Sequence, residues 1–385
     1  MCSASHAGDR KLKIGIAGAG LLGRLVAWTL AHQGHQVSVF DPAPGPQPAY
    51  DGHGAAGFTA AGMLSPLAEL ESAEPDVAER GWHSITRWEQ ITGALARRTY
   101  KPPYFAQRGS LMVAHGTDLG AAKRVLSRLD DGLHTPARRT TAAPRQPEPL
   151  SAGQLRQVEP CLHGSAGPLH AWMLHGEGHI DTVRTLQCLF EDAPHVQWHW
   201  AQPVKHVSPH RLDVAGCHNH QADHFDWVFD LRGTGARPDA PVRGVRGEVV
   251  WLHAPGVELQ RPVRLLHPRH RVYIVPRPGD MVLIGASEIE SEDRSPMSLR
   301  SAVELMAAAH SVIPALAEAR IVRMDVNLRP ALPDHRPEIH IEPGMVRING
   351  LYRHGWLLGP SLIDEALARI GLASTTACDD PALAI

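Results

Sequence analysis

GIAGAGLLG, Gly15 to Gly23, is the stretch whose reading decides the fold. Gly18, Gly20 and Gly23 fall in G-x-G-x-x-G spacing. Lys13 to Ala17 reads as a buried strand, Leu21 to His32 as a helix, and Gln36 to Phe40 as a second strand that ends in Asp41. In such a unit the first glycine permits a tight turn, the second lets a pyrophosphate approach the backbone, and the third lets helix and strand pack closely. The helix N-terminus then faces the phosphates. Asp41 lies 18 residues after Gly23, close to the ~20 expected for a ribose-binding carboxylate. Strand, glycine turn, helix and acid together point to a dinucleotide site, and leave FAD and NAD equally open. FDLRGTGARP, Phe229 to Pro238, is a strand that runs into a second glycine turn at Gly233. It reads either as a further contact to the same nucleotide or as an ordinary turn.

Outward from that motif, 385 residues suffice for two or three compact units with a real core. A net charge of −2 gives no electrostatic footprint for nucleic acid or an anionic membrane. The 25 histidines make charge and solubility sensitive to pH below neutrality. Cys2, Cys161, Cys188, Cys217 and Cys378 are widely spaced, with no C-x-x-C pair, so no zinc or dithiol motif is expected. Reduced thiols fit a cytoplasmic location. RKLKIGIAGAGLLG resembles a signal peptide in its basic start, but its glycines and Arg24 suit a strand-turn-helix better. No stretch approaches the ~20 apolar residues that cross a bilayer.

Further along, Val77 to Arg98 carries Trp82, Ile85, Trp88, Ile91 and Leu95 at helical spacing. Gly109 to His115 reads as a strand, and the polar, proline-rich His134 to Pro149 as a linker. Ser151 suits a helix N-cap. Several short strands follow from Gln197 to Arg232, then a strand over Arg246 to Leu252 and a hairpin around Pro278-Gly279-Asp280. A capped helix ends before Pro314, a strand spans GMVRING, and a helix covers Ser361 to Leu372. The tail from Ala373 is expected to be loose. Strand–helix alternation at both ends around an antiparallel middle gives an α/β domain interrupted by an inserted sheet. The expected division is 1–85, 151–240 and 325–385 for the dinucleotide domain, with 86–150 and 241–324 for the inserted one.

These blocks, in order, resemble the FAD-dependent D-amino-acid oxidase superfamily, and within it the bacterial glycine oxidases of thiamine biosynthesis. The resemblance runs from about Lys11 to Gly371. Besides the fingerprint it rests on AAGMLSPLAELE (Ala60 to Glu71), GEGHIDTVRTL (Gly176 to Leu186), FDLRGTGAR, VRGVRGEV, VYIVPRPGDMVLIGAS, LRPALPDHRP and LYRHGWLLGP. It implies a Rossmann-like FAD-binding domain and an antiparallel substrate domain. It implies that Gly18, Gly20, Leu21, Leu22 and Gly23 wrap the pyrophosphate, with Asp41 and Pro42 at the ribose and Val204 at the adenine. Ala56, Gly57, Ala61, Gly62 and Met63 would lie along pyrophosphate and flavin, Gly233 beside the nucleotide, and Leu351, Tyr352, Arg353, His354, Gly355, Trp356 and Leu357 beside the flavin. No cysteine stands where sarcosine oxidases tether FAD, so the cofactor is expected to be noncovalent.

An amino-acid oxidase must hold a carboxylate, and a guanidinium fork suits that task. By residue chemistry alone Arg329 is a surface charge or a partner of Asp325 or Asp334, and Tyr273 is packing. The resemblance instead makes Arg329 the carboxylate-binding arginine, Tyr273 the hydroxyl that helps it, and Arg353 a second arginine near substrate and flavin. It implies hydride transfer from Cα to N5 of FAD, with O2 as acceptor, H2O2 as product, and an imine that yields a 2-oxo acid and ammonia or feeds thiazole synthesis. No metal, nucleic acid or membrane is implied, and a homo-oligomer is expected. The chain departs from the pattern at His354, at Glu288 where some relatives carry methionine, and at Arg271 where some carry histidine. Glu288 and Arg271 could pair or reshape amine preference. Competing readings are a quinone-linked D-amino-acid dehydrogenase, a tRNA-modifying oxidoreductase of the same superfamily, and a non-catalytic dinucleotide-binding protein.

Overall fold

In the computed structural model, Lys13–Ala17, Leu21–His32 and Gln36–Phe40 form the strand, helix and strand that the glycine motif predicts. The structure describes residues 11–133, 146–164, 167–193, 195–215, 224–267 and 271–373. Among them the first sheet has six strands, in the order Glu338–Glu342, Met345–Asn349, Trp227–Asp230, Lys13–Ala17, Gln36–Phe40, Gln197–His199. All its pairings are parallel except that of the edge strand Glu338–Glu342. Lys13–Ala17 sits between Gln36–Phe40 and Trp227–Asp230, so the chain leaves it to one side and later returns on the other. A crevice opens beyond the carboxyl ends of the strands at such a switch point. Gly23 must be glycine, because a Cβ there would run into the Gly18 carbonyl.

Leu21–His32, Pro75–Arg98 and Gly355–Arg369 pack on this sheet through one apolar core that includes Ile14, Leu25, Ile85, Trp88, Leu95 and Leu362. The buried positions of Pro75–Arg98 recur every three or four residues, as the sequence pattern predicts. The last helix begins at Gly355, six residues before the expected start at Ser361, and carries Pro360 inside it. Proline removes an N–H bond to the carbonyl four residues back. Here that carbonyl belongs to Trp356, and the Trp88 indole N–H donates to it at 2.8 Å. The helix therefore continues through a residue that usually stops one.

The second sheet has eight strands, in the order Arg320–Ala331, Arg243–His253, Met281–Gly285, Arg271–Arg277, Val263–Leu266, Ser110–His115, Leu169–Leu174, Glu148–Leu150. It is antiparallel except where Val263–Leu266 meets Ser110–His115. Leu299–Val312 covers one face, capped by the Ser298 side chain, and buries Leu305 and Val312 against Val250, Ile274 and Ile284. Arg320–Ala331 is an edge strand, where Pro330 leaves no ladder bond unmade.

Four segments fall differently from the sequence reading. Glu148–Leu150, read as the end of a linker, pairs with Leu169–Leu174; residues 134–145 of that linker lie outside the described ones. The strand Leu169–Leu174 and positions 325–331 of Arg320–Ala331 lie in the second sheet rather than the first, Leu155 and Leu162 pack with that sheet, and Pro75–Arg98 stays with the first beyond position 85. The expected loose tail beyond Ala373 also lies outside the described residues.

Candidate active site

A cavity of about 700 Å³ runs from the glycine turn to the second sheet. Gly18, Gly20, Leu21, Leu22, Asp41, Pro42 and Val204 line one end. Gly23 does not reach it and packs beneath Gly18. The turn is tight: Gly18 has φ 101°, and a Cβ there would lie 2.7 Å from the Leu231 carbonyl oxygen. Helix Leu21–His32 has no side-chain cap at Gly20 and no acid in its first turn. Its leading N–H groups have no intrahelical acceptor, which suits a phosphate. The Asp41 carboxylate accepts from the N–H of Ala19 at 2.6 Å and of Ala43 at 2.8 Å, which holds it at the end of its strand.

Arg24 also reaches this end. It donates to the carbonyls of Ala19, Leu186 and Pro46, and lies over the rings of Phe58, Phe190 and Trp200. Burial lowers its pKa to about 10, against the pull of Asp41. The sequence reading treated Arg24 as a break in an apolar run and missed this staple.

Ala56, Gly57, Ala61, Gly62 and Met63 form the middle wall. It is tied to both sheets: Trp356 donates to the Gly57 carbonyl at 3.1 Å, Arg277 donates to the Ala61 carbonyl, and Asn327 donates to the Gly54 carbonyl and Thr59 hydroxyl, each at 3.1 Å. Gly233 lines the wall opposite, where its carbonyl accepts from Asn349 at 3.0 Å. The loop Leu351, Tyr352, Arg353, His354 leads into Gly355, Trp356 and Leu357 at the start of the last helix, and all seven line the cavity. The Tyr352 N–H donates to the Pro330 carbonyl at 2.9 Å, which joins this loop to the strand that carries Arg329.

Arg329, Tyr273 and Arg353 converge on the far end. Their positions follow from strand register. Asn327 pairs with Gly247, and the Arg329 side chain lies over Gly247, where a Cβ would stand 2.5 Å from Cζ. Tyr273 pairs with Gly285 and its ring covers that glycine in the same way, at 2.5 Å. Arg329 donates to the carbonyls of Arg246 at 3.3 Å and Ser287 at 3.0 Å. Among the described residues no carboxylate pairs with it. Asp325 is instead bound by Arg323 at 2.7 Å, and Asp334 accepts from the Arg336 N–H. Burial raises the Tyr273 pKa, with Arg329 and Arg353 acting in the opposite direction. The phenol therefore stays a donor through the physiological range.

Arg353 is held differently, with Glu69 and Glu288 each at 3.3 Å. Burial disfavours its charge, and the two carboxylates more than offset that, so its pKa rises. Glu69 also meets His354 Nε2 at 2.9 Å and Arg264 at 3.1 Å. Burial opposes ionisation of Glu69, yet His354, Arg353 and Arg264 hold its pKa well below the usual range. Glu69 lies two residues before the end of the AAGMLSPLAELE block, but nothing in its spacing singled it out. Glu288 pairs with Arg353, and its expected pairing with Arg271 falls outside the described residues.

This end of the cavity offers a forked cation that no carboxylate among the described residues neutralises, beside a buried hydroxyl donor. The other end offers free helix N–H groups and a tight turn in which Gly18 admits no Cβ. The two ends fit a small carboxylate and a dinucleotide in one continuous space. Comparison with known proteins agrees. Against a protein of Rhizobium etli named as the thiamine biosynthesis oxidoreductase ThiO, the chain is 36% identical over 363 residues, 93% of this chain and 96% of that one. Against the glycine oxidase of Geobacillus kaustophilus it is 26% identical over 369 residues, 90% and 89% of the two chains. The crystal structure of an iminodiacetate oxidase from Chelativorans shares the fold, with TM-score 0.73 at 22% identity over 93% of this chain and 95% of that one. Residues 13–368 match the family described as DAO, FAD dependent oxidoreductase, and the chain belongs to that family.

Proposed function

We propose that this FAD-dependent oxidoreductase oxidatively deaminates glycine and small amines such as sarcosine or D-alanine, with O2 as acceptor and thiamine thiazole synthesis as its destination. The observation that carries the reading is the Arg329 guanidinium, held by two carbonyls and, among the described residues, by no carboxylate, with Tyr273 in the same cavity. A substrate carboxylate supplies the missing counter-charge, and the fork binds both its oxygens. The Tyr273 hydroxyl donates to the same carboxylate, and Arg353 faces the substrate from the loop Leu351 to Leu357.

In this reading the six-stranded sheet is the core of the FAD-binding unit and the eight-stranded sheet that of the substrate unit. Gly18, Gly20, Leu21 and Leu22 cradle the pyrophosphate, with Gly23 packed behind them. Asp41 and Pro42 face the ribose and Val204 the adenine. Ala56, Gly57, Ala61, Gly62, Met63 and Gly233 flank the flavin and its phosphates. FAD supplies a hydride acceptor that passes electrons on to O2. The protein's part is then positioning, since the neutral amine can assist expulsion of the hydride without a side-chain base. Among the described residues no cysteine lines the cavity, which supports noncovalent FAD. We also infer a cytoplasmic homo-oligomer.

An amine panel under air tests the function, with peroxide release and flavin bleaching followed together. Glycine or sarcosine should bleach the flavin and release peroxide, and acid precipitation should leave the protein colourless. Bleaching without peroxide would instead point to a dehydrogenase with another acceptor. A sharper test of the clamp is Gly247→Ala. The new methyl would stand 2.5 Å from Arg329 Cζ, so the guanidinium must move while the backbone stays. A displacement of about 1 Å at such a group costs about 100-fold in kcat/KM. The variant is expected to fold and bind FAD normally while losing about that much; full activity would remove Arg329 from the site.

A further inference from the structure

We propose that Glu288 sets the substrate class: it closes the outer side of Arg353 against a second carboxylate, and so restricts the site to amines that carry one. This rests on the amine-oxidising reading above and extends it to the residues that choose among amines.

The backbone around Glu288 is pinned. The Ser287 N–H donates to the Glu248 carbonyl at 3.2 Å, and Ile289 and Arg246 exchange N–H···O bonds at 3.0 and 2.9 Å. The Ser287 carbonyl is itself one of the two acceptors that hold Arg329. Glu288 is thus the residue next to an anchor of the substrate clamp, and its side chain reaches across to the second arginine. Arg353 has Nη1 at 3.3 Å from Glu288 and Nη2 at 3.3 Å from Glu69, so each terminal nitrogen already faces a carboxylate. The two carboxylates differ in access. Both line the cavity, but Glu69 has 11% of its side chain exposed and is also held by His354 and Arg264, whereas Glu288 has 44% exposed. A second substrate carboxylate could reach Arg353 only in place of Glu288.

Like-charge repulsion gives the same result. A second substrate carboxylate at Arg353 would stand beside the Glu288 carboxylate, whereas an amino acid with one carboxylate, held at Arg329, does not. Removing the Glu288 charge creates the vacancy that a dicarboxylic amine would fill. A residue that merely braced Arg353 would weaken all substrates alike. A selecting residue changes the ratio between substrates.

Sarcosine and iminodiacetate make the test, since they share the N–CH2–COO⁻ unit and differ by one carboxylate. kcat/KM for both is measured on the FAD-loaded wild type, Glu288→Gln and Glu288→Asp. The iminodiacetate-to-sarcosine ratio is expected to rise about tenfold or more in Glu288→Gln and to stay near the wild-type value in Glu288→Asp, which keeps the charge. Competition by acetate and malonate on the wild type covers the case in which Glu288→Gln does not fold. Acetate is expected to inhibit at least as tightly as malonate. A ratio unchanged by Glu288→Gln, or a wild type that prefers iminodiacetate or malonate, overturns the role of Glu288 while leaving amine oxidation intact. Absence of turnover with any amine overturns both readings.

Discussion

Replacing Arg329 by alanine is expected to lower kcat/KM for glycine by about 30- to 4,000-fold, through the substrate constant far more than through FAD affinity. A charge-assisted pair truncated at a desolvated site costs about 2–5 kcal/mol. The role proposed for Arg329 puts it in that class. Its fork is aimed by the carbonyls of Arg246 and Ser287, which orient the group without neutralising it. Gly247 beneath it has no side chain to take over its space. Arg329→Lys should recover only part of the loss, because an ammonium on a flexible stem lacks the planar fork. Bound flavin should stay near stoichiometric and the melting temperature nearly unchanged in both variants. Kinetics within about threefold of wild type would rule out Arg329 as the carboxylate clamp.

How far these roles could be read from the sequence depended on how local their causes are. The glycine turn, its helix and Asp41 lie within one unit of 29 residues, Lys13 to Asp41, where spacing alone fixes the geometry. Arg329, Tyr273 and Arg353 are brought together by cross-strand register and by the Tyr352–Pro330 bond, neither of which periodicity encodes. By pattern alone Arg329 was a surface charge; family blocks were needed to bring it inside. Arg24 and Glu69 escaped notice because their partners are remote: Arg24 meets Leu186, and Glu69 meets Arg264 and Arg353, 195 and 284 positions away. Pro360 misplaced a helix start for a similar reason, since the group that satisfies the freed carbonyl is Trp88, on another helix. The proline-rich stretch before Ser151 concealed an edge strand, because composition does not reveal the neighbour that pairs with it.

Glu69→Gln is expected to destabilise the fold by about 3–5 kcal/mol at neutral pH, the usual cost of leaving buried cations without their partner. The carboxylate meets Arg264, Arg353 and His354 at once, and an amide of the same shape offers one acceptor oxygen and no charge. Glu288 still faces Arg353 and Glu71 still faces Arg264, which places the loss towards the lower end of that range. The pH dependence identifies the cause. Burial opposes the Glu69 charge, but His354, Arg353 and Arg264 hold its folded pKa well below the ordinary 4.5. A folded pKa below the unfolded one means that the unfolded chain binds the proton first as pH falls. The stabilisation is therefore complete above about pH 4.5 and is lost progressively below it. Urea unfolding of wild type and Glu69→Gln between pH 7 and pH 3 should show two curves that lie apart at neutrality and converge in acid. A gap that stayed constant to pH 3 would mean that shape, not charge, is what Glu69 contributes. Arg329→Ala separates the two effects: it should impair substrate binding while leaving the unfolding curve in place, whereas Glu69→Gln should shift unfolding and, by freeing Arg353 and His354, raise the substrate constant as well.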